Sequence, residues 1–260
     1  MNLPDYEYKG LMAQAWDVLR GDTSTWPDRF FYLELIRRCG QPVLDIGCGT
    51  GRLLLDYLAQ GIDSDGVDNS PDMLGICRAK ASRLGLAPTL YEQFLENISL
   101  PRQYRTLLIP SSTLQLVIEP AMVRQAIARL ADHLLPGGVI VAPFMILWKP
   151  EDPLSFEWEQ TGVRAEDGAT FRRLSRSWHA AGSAIEHTED HYQMLIDGTV
   201  IAEEVHRRSP ATRSYTQTQA RSLFESAGFN PVEMYSQFTF EPVNAGDTLF
   251  TVVAHNATKG

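Results

Sequence analysis

The sequence predicts an α/β fold in which a seven-stranded, mostly parallel sheet carries helices on both faces. Between residues 43 and 143, short apolar segments alternate with amphipathic helical stripes, a pattern that is typical of parallel sheets. A glycine-rich turn joins the first apolar segment to the first of these helices. A two-residue hairpin signal, Asp197-Gly198, indicates a separate antiparallel sheet further along the chain.

The strands and helices of the parallel part can be placed in order. The helix over residues 52–60 ends at Gly61, a residue suited to a left-handed cap. The next helix has Ser70 as its N-cap, Pro71 at its first position and Gly85 at its end. A third helical stripe covers residues 123–134. Strands are predicted over residues 43–46, 62–67, 89–91, 106–109, 139–143, 232–240 and 249–254, the last two as an antiparallel pair.

Four regions follow from this pattern. Residues 1–40 form a leader of two helices, separated by a break at 21–24, and residues 41–150 form the first five strands with their helices. Residues 151–213 depart from the alternation and predict an inserted antiparallel sheet of about three strands. Residues 214–260 complete the main sheet, beginning with a helix capped by Thr216.

Composition excludes several classes of protein. A hydrophobic content of 44% is sufficient for a large core, and a net charge of −9 disfavours nucleic acid, whose phosphates require clustered Lys and Arg. The three cysteines have no disulfide or metal-ligand spacing, so we expect reduced thiols, no metal and a cytoplasmic location. Residues 1–10 do not resemble a signal peptide, and the longest apolar run, 137–148, is too short to cross a membrane.

The most informative segment is the turn after the first strand. Asp45 lies in that strand and is followed by Gly47, Gly49 and Gly51 before a helix begins. Glycines allow a tight turn and a close approach of the backbone to a ligand, and the start of a helix presents unpaired N–H groups. Asp68 ends the second strand, where an acid can bind both hydroxyls of a ribose. These residues predict a site for a nucleoside-bearing cofactor.

Three motifs together resemble the class I, Rossmann-like S-adenosylmethionine-dependent methyltransferases. They are Asp45-x-Gly47-x-Gly49-x-Gly51, the segment 66–74 that contains Asp68, and the Leu-Leu-Pro-Gly-Gly-Val segment over residues 134–139. The resemblance implies S-adenosyl-L-methionine as cofactor, S-adenosyl-L-homocysteine as product and a small-molecule methyl acceptor. It also implies that the leader partly covers the cofactor, with Tyr8, Trp16 and Trp26 as candidate lid residues.

The resemblance assigns roles around the glycine turn. Gly47, Cys48, Gly49 and Gly51 would hold the amino-acid part of the cofactor. Asp45 would orient this turn or reach the cofactor's ammonium group through water.

The resemblance also assigns roles to residues after the second, third and fourth strands. Asp68 would accept both ribose hydroxyls, and Asn69 and Met73 would flank the adenine. Phe94 stands where the family usually has an acid that contacts adenine, so backbone groups of Phe94 and Leu95 are expected to replace it. Ser111 would lie beneath the reactive methyl group.

Two other functions fit part of the pattern. A nicotinamide-dependent oxidoreductase has Gly-x-Gly-x-x-Gly, whereas the third glycine here comes one position earlier and an acid precedes the first. A noncatalytic S-adenosylmethionine-binding protein is the second alternative, because the expected adenine-contact acid is absent. Methyl transfer from a sulfonium needs mainly alignment and dehydration, so neither a nucleophile nor a metal is expected and no catalytic residue is nominated.

The remaining expectations concern the acceptor. Phe144, Met145 and Trp148 follow the fifth strand and could shape an apolar acceptor pocket, but at least one of them is expected to pack in the core instead. Four of the six histidines lie in the insertion, and none is assigned as a base. The inserted sheet is expected either to cover the acceptor or to mediate a homodimer.

Overall fold

The computed structural model describes residues 8–149 and 151–256. They form two sheets with six α-helices, and short 3₁₀ turns at Leu95–Asn97 and Thr113–Leu116. The helices are α1 (Gly10–Arg20), α2 (Pro27–Cys39), α3 (Leu54–Ala59), α4 (Pro71–Leu84), α5 (Pro120–Asp132) and α6 (Gln217–Glu225). The strands of the larger sheet are β1 (Val43–Ile46), β2 (Ser64–Asp68), β3 (Thr89–Glu92), β4 (Tyr104–Leu108), β5 (Leu134–Met145), β10 (Phe229–Ser236) and β11 (Leu249–Asn256). Those of the smaller sheet are β6 (Ser155–Val163), β7 (Thr170–Trp178), β8 (Ile185–Ile196) and β9 (Thr199–Arg213).

The larger sheet has the order β10-β11-β5-β4-β1-β2-β3. Neighbouring strands from β5 to β3 are parallel, and β11 runs antiparallel to both β5 and β10. This confirms the predicted seven-stranded, mostly parallel sheet and its closing antiparallel pair. The carboxyl ends of β4, β1, β2 and β3 therefore meet along one edge, where ligands bind in open α/β sheets.

The helix boundaries agree with the capping signals in the sequence. Ser70 caps α4 by accepting the N–H of Met73 at 3.1 Å, and Gly85 ends it in the left-handed conformation. Gly61 follows α3 with a φ of 79°. Thr216 forms a complete capping box with Gln219 at the start of α6.

The inserted sheet has four strands rather than the three predicted, in the order β6-β7-β8-β9 with every neighbouring pair antiparallel. The additional strand, β6, is exposed along much of its length, so its sequence lacks a clear apolar face. The predicted hairpin is confirmed, because Asp197 and Gly198 both have positive φ values, 48° and 78°.

Helix α1 lies between the two sheets. Its apolar residues Leu11, Met12 and Ala15 pack against Phe171 and Tyr192 of the inserted sheet. At its N-terminus, the N–H of Gly10 donates to Asp72 of α4, and the N–H of Leu11 donates to Glu204 of β9, both at 2.8 Å. Helix α1 is therefore bonded both to a helix that packs on the larger sheet and to a strand of the inserted sheet.

No helix of the described residues is both long and apolar enough to cross a membrane.

Candidate functional site

A cavity of about 1120 Å³, including its open mouth, lies at the carboxyl ends of β1, β2, β3 and β4. The structure brings most of the sequence-predicted cofactor residues together in its wall. These are Asp45, Gly47, Cys48, Gly49, Asp68, Asn69, Met73, Leu95 and Ser111. Gly51 and Phe94 lie outside the lining.

The glycine turn is held against β2 by backbone hydrogen bonds. The carbonyl of Val67 accepts the N–H groups of Gly47 at 2.7 Å and Cys48 at 3.0 Å. Gly47 has a φ of 69°, and a Cβ there would lie 2.6 Å from a side-chain carbon of Thr113. Gly47 therefore satisfies both a conformational and a steric requirement of the turn.

Gly51 has a packing role. A Cβ at this residue would lie 2.6 Å from Sγ of Cys77 on α4, and its N–H donates to the carbonyl of Cys48 at 2.9 Å. It closes the turn and allows α4 to approach. The Cys48 side chain is also buried, and a Cβ on Gly66 would lie 2.8 Å from its Sγ.

Asp68 joins the glycine turn to the start of α4. Its Oδ2 accepts the N–H of Gly49 at 2.8 Å, and its Oδ1 accepts the N–H of Ser70 at 2.9 Å. Burial raises the pKa of this carboxyl, while the backbone donors oppose the shift. Each oxygen has accepted one backbone donor and retains capacity for another, such as a ribose hydroxyl.

Asp45 presents an unsatisfied carboxyl oxygen at the cavity. The residue is 2% exposed, and its Oδ1 has no hydrogen-bond partner among the described residues. Burial raises the pKa of the Asp45 carboxyl to about 7, and the nearby Arg52 acts in the opposite direction. Arg52 also lines the cavity and pairs with the buried Asp28 of α2. A cationic group bound here would satisfy the free oxygen of Asp45.

Helix α1 supplies one wall of the cavity, with Tyr8 immediately before it. Tyr8, Trp16 and Arg20 all line the space, and the Tyr8 and Trp16 ring centroids are 4.7 Å apart. The Arg20 guanidinium lies 3.3 Å from the centroid of the Trp16 ring, and burial lowers its pKa to about 10. Arg20 is thus a cation at neutral pH, facing the same space as Asp45. Trp26 lies outside the lining, at the N-cap of α2.

Sequence reasoning missed Arg20 and also Glu96. Glu96 lies in the 3₁₀ turn after β3, is 3% exposed and lines the cavity beside Gln93 and Leu95. Its Oε1 has no hydrogen-bond partner within the described part of the chain. Neither residue belongs to a sequence motif, and only the fold brings them to the cavity. Phe94 precedes this turn and accepts the N–H of Asn97 through its carbonyl at 3.0 Å.

The loop after β4 forms the remaining side of the cavity. Ser111, Ser112 and Thr113 line the cavity, and Ser111 has a φ of 58°, which is uncommon for a residue other than glycine. Thr113 Oγ1 donates to the carbonyl of Pro110 at 2.7 Å. This loop therefore has a fixed conformation that presents short polar side chains.

The three apolar residues expected around an acceptor separate in the structure. Phe144 is fully buried and stacks on Phe250 with ring centroids 5.8 Å apart, so it has the core role that was expected for at least one of the three. Trp148 lies beside the insertion, with its ring centroid 4.0 Å from that of His179. Met145 is partly exposed at 36%.

Comparison with known proteins identifies the core of the chain. Residues 43–138 match the family model for a methyltransferase domain. This stretch spans the glycine turn, Asp68 and the Pro-Gly-Gly segment. The match favours a methyltransferase over the nicotinamide-dependent alternative.

Relatives are similar over nearly the whole chain. A dTDP-3-amino-3,6-dideoxy-alpha-D-glucopyranose N,N-dimethyltransferase from Streptomyces fradiae is 28% identical, over 87% of this chain and 87% of that protein. The solved CcbJ methyltransferase from Streptomyces caelestis has a TM-score of 0.72 at 19% identity, covering 98% of both chains.

A second solved structure, an S-adenosylmethionine-bound amino pentose methyltransferase from Micromonospora echinaspora, has a TM-score of 0.66 at 21% identity and covers 98% of both chains. At these identities the two structures establish a shared fold, in which the larger sheet and the insertion are both included. Residues 43–138 thus match a methyltransferase domain, and the chain has the Rossmann-like fold of solved S-adenosylmethionine-dependent methyltransferases.

Proposed function

We propose that this methyltransferase acts on the amino group of a small, polyhydroxylated acceptor of the amino sugar type. The observation that carries the proposal is a polar patch on the inner face of the inserted sheet, beside the cofactor cavity. The name of the Streptomyces fradiae relative, an N,N-dimethyltransferase of a dTDP-amino sugar, supports the same acceptor class.

The cavity residues fit the parts of S-adenosylmethionine. The free Oδ1 of Asp45 suits its ammonium group, and the Arg20 cation suits its carboxylate. The N–H groups and open backbone of the glycine turn suit the amino-acid chain, and Asp68 suits the ribose hydroxyls. When bound, the cofactor supplies an activated methyl group on a sulfonium. The protein then needs to align the acceptor and exclude water.

The inner polar patch consists of Ser175, Ser177, Thr188, Asp190 and Arg208. Strand pairing makes these residues neighbours, because Ser175 faces Asp190 and Thr188 lies between Ser177 and Arg208. The patch shares the face of the sheet that packs on α1, because side chains two residues apart along a strand point the same way. It is thus turned toward the core of the molecule.

The patch contains buried polar atoms without partners. Among the described residues, Thr188 Oγ1, Asp190 Oδ2 and Arg208 Nε make no hydrogen bond. Asp190 is fully buried, and its other oxygen accepts from Ser175 at 2.5 Å and from Arg173 at 2.8 Å. A mixture of free donors and acceptors suits a ligand that bears hydroxyl and amino groups, since such groups can both donate and accept.

One contact connects the patch with the cofactor cavity, and a second joins the end of β9 to the segment after β4. Arg208 Nη1 donates to the hydroxyl of Tyr8 at 3.5 Å, and Tyr8 lines the cavity. Gln115, two residues after Thr113, donates to the carbonyl of Arg213 at 2.9 Å. We therefore propose that residues 151–213 cover the acceptor rather than serve only for dimerisation.

A labelled-methyl assay tests this function. The panel contains a thymidine diphosphate amino sugar and the same compound with a hydroxyl in place of the amino group. We expect methyl transfer to the amine alone, identified by mass spectrometry of the product. Transfer to the hydroxyl compound, or no turnover of any amino sugar by protein that binds S-adenosylhomocysteine, would contradict the proposed acceptor.

A further inference from the structure

Gln115 is a fully buried polar residue in the segment after β4. Thr113 and Leu116, on either side of it, both line the cofactor cavity, whereas Gln115 is not part of the lining. A buried side-chain amide needs hydrogen-bond partners, because leaving its donors and acceptor unpaired is costly. The partners of Gln115 therefore show which parts of the molecule this residue holds together.

The side-chain amide of Gln115 binds the chain on both sides of the inserted sheet. Its Oε1 accepts the N–H of Met145 at 2.8 Å, and its Nε2 donates to the carbonyls of Met145 and Arg213, each at 2.9 Å. Met145 ends β5, before the chain enters the insertion, and Arg213 ends β9, where the chain leaves it. Both N–H groups of the amide are therefore used. One neutral side chain joins the entry and the exit of the insertion to a segment of the cavity wall.

Arg213 makes a second bond between the same two segments. Its Nε donates to the carbonyl of Ile118 at 2.5 Å, three residues after Gln115. Arg213 is the last residue of β9, the strand that also carries Arg208 of the inner polar patch. We call the pair Gln115 and Arg213 the insertion clamp. Because hydrogen bonds depend on distance and direction, a displacement of β9 relative to the cavity wall would break both bonds of the clamp.

We propose that the insertion clamp positions the inserted sheet for methyl transfer. This inference rests on the proposed function, in which that sheet covers the acceptor. Gln115 and Arg213 are positioning residues, because neither is part of the cavity lining. Transfer between two bound molecules depends on their alignment, and a misplacement of about 1 Å can lower the rate about 100-fold. Loosening the clamp therefore lowers kcat while the cofactor binds as before.

Steady-state kinetics of Gln115→Met tests the positioning role, because methionine has a similar length and makes none of the three bonds. The control is Gln217→Met. Gln217 of α6 also donates to two carbonyls, those of Asn244 at 2.7 Å and Asp247 at 3.2 Å, but lies outside the cavity lining. With the thymidine diphosphate amino sugar, we expect kcat to fall at least about tenfold in Gln115→Met and S-adenosylhomocysteine affinity to stay within about twofold. Gln217→Met should keep the wild-type kcat.

Arg213 provides a second pair of variants, which serves if Gln115→Met does not fold. Arg213→Met removes the bond to Ile118 and should also lower kcat. Arg213→Lys keeps a donor and a positive charge, so it should retain more of the wild-type kcat. Thermal unfolding of each variant shows whether it is folded.

Hydrogen–deuterium exchange tests the clamp without an acceptor. Binding of S-adenosylhomocysteine stabilises the cavity wall, and the clamp should transmit this stabilisation to the end of β9. In wild type and Gln217→Met, we expect slower exchange in peptides that cover residues 205–213 when S-adenosylhomocysteine is bound. In Gln115→Met and Arg213→Met, exchange in these peptides should not respond to the ligand.

Two results would overturn the inference and leave the proposed function intact. One is an unchanged kcat in the folded clamp variants, and the other is an exchange response that is absent in wild type or equal in all proteins. If wild type does not methylate the amino sugar, the proposed function fails, and the exchange measurement alone decides whether the clamp connects the cavity wall to the inserted sheet.

Discussion

The backbone N–H of Gly49 donates to Oδ2 of Asp68 at 2.8 Å, which connects the glycine turn after β1 to the acid that ends β2. Two of the sequence motifs that predicted this site are therefore in direct contact. Asp68 has two functions in this arrangement, because it stabilises the turn and also presents its oxygens to the cavity. In the proposed site, this bond sets the positions of the amino-acid and ribose parts of the cofactor relative to each other.

Replacing Asp68 tests its place in the cofactor site. Asp68→Ala removes the predicted ribose acceptor and the bond to Gly49, so we expect S-adenosylmethionine affinity to fall at least about tenfold, or about 1.4 kcal/mol. Calorimetry measures the change. Asp132→Ala, an exposed acid at the end of α5, is the control and should bind as wild type does. Undiminished affinity in Asp68→Ala would remove this residue from the site.

Asp45 should make stability depend on pH. Burial raises its pKa from 3.8 to about 7. Between these values the unfolded chain has released the proton and the folded protein retains it, so stability falls as pH rises. We expect wild type to lose stability relative to Asp45→Asn over this range, with no further loss above it. Urea unfolding of both proteins across this pH range measures the difference. Parallel plots of unfolding free energy against pH would contradict the expectation.

The same titration should affect cofactor binding. An ammonium group beside Asp45 favours the ionised carboxylate, so affinity for S-adenosylhomocysteine should rise with pH up to about 7 and then level off. In Asp45→Asn the affinity should be lower and nearly independent of pH over this range. Calorimetry in buffers of matched ionic strength measures both profiles. Identical plots of affinity against pH for wild type and Asp45→Asn would show that Asp45 does not contact the ammonium group.

Substitutions at two glycines distinguish backbone strain from a steric clash. Gly61→Ala adds a methyl group at a φ of 79° with no atom of the described residues within 4 Å, so it should cost about 1 kcal/mol of unfolding free energy. In Gly47→Ala the residue has a similar φ, and its new methyl group also clashes with the side chain of Thr113. The unfolding free energy should therefore fall by about 1–3 kcal/mol more than in Gly61→Ala. Chemical denaturation measures both. Equal losses of unfolding free energy in the two variants would show that the Thr113 side chain moves aside without cost.

Thr188 distinguishes acceptor binding from a structural role. Its hydroxyl is buried without a partner, so Thr188→Val, which keeps the shape, should leave stability unchanged or slightly higher. If the hydroxyl contacts the acceptor, KM for the amino sugar should rise several-fold while S-adenosylhomocysteine affinity stays constant. Steady-state kinetics, calorimetry and thermal unfolding measure these quantities. An unaltered KM would exclude Thr188 from the acceptor site.

The capping box of α6 provides a prediction outside the site. The Thr216 side chain accepts the N–H of Gln219 at 3.2 Å, and Thr216→Ala should lower the unfolding free energy by about 1 kcal/mol. Cofactor affinity should not change, because α6 lies outside the cavity lining. Urea unfolding and calorimetry test the two parts of the prediction. Thr216→Ser, which keeps the hydroxyl, should retain most of the stability.

Local signals were sufficient for most of the main sheet and for the centre of the cavity. Local interactions determine the effects of the glycine caps, of Ser70 and of the Asp45 motif on the structure. These effects can therefore be predicted from the sequence. The Pro-Gly-Gly segment was less predictable, because it forms a bulge within β5 rather than a turn before it. Tyr104 pairs with Leu134 and Thr106 with Val139, so the bulge depends on a neighbouring strand.

The cavity-lining residues that lie outside the sequence motifs could not be predicted in this way. Arg20 reaches the cavity because α1 packs across the inserted sheet, and Glu96 because a 3₁₀ turn directs it inward. Phe94 was expected near the adenine from its position in the motif, but it precedes this turn and lies outside the lining. Such placements depend on contacts between residues far apart in the chain.

The double attachment of α1 has a consequence for turnover. Because carboxylates of α4 and β9 both hold its N-terminus, we expect spent cofactor to leave past this helix more slowly while both bonds are intact. Glu204 lies on a strand of the inserted sheet and is absent from the cavity wall. A change at this distant carboxylate would therefore alter the residence time of S-adenosylhomocysteine without touching the methyl-transfer chemistry.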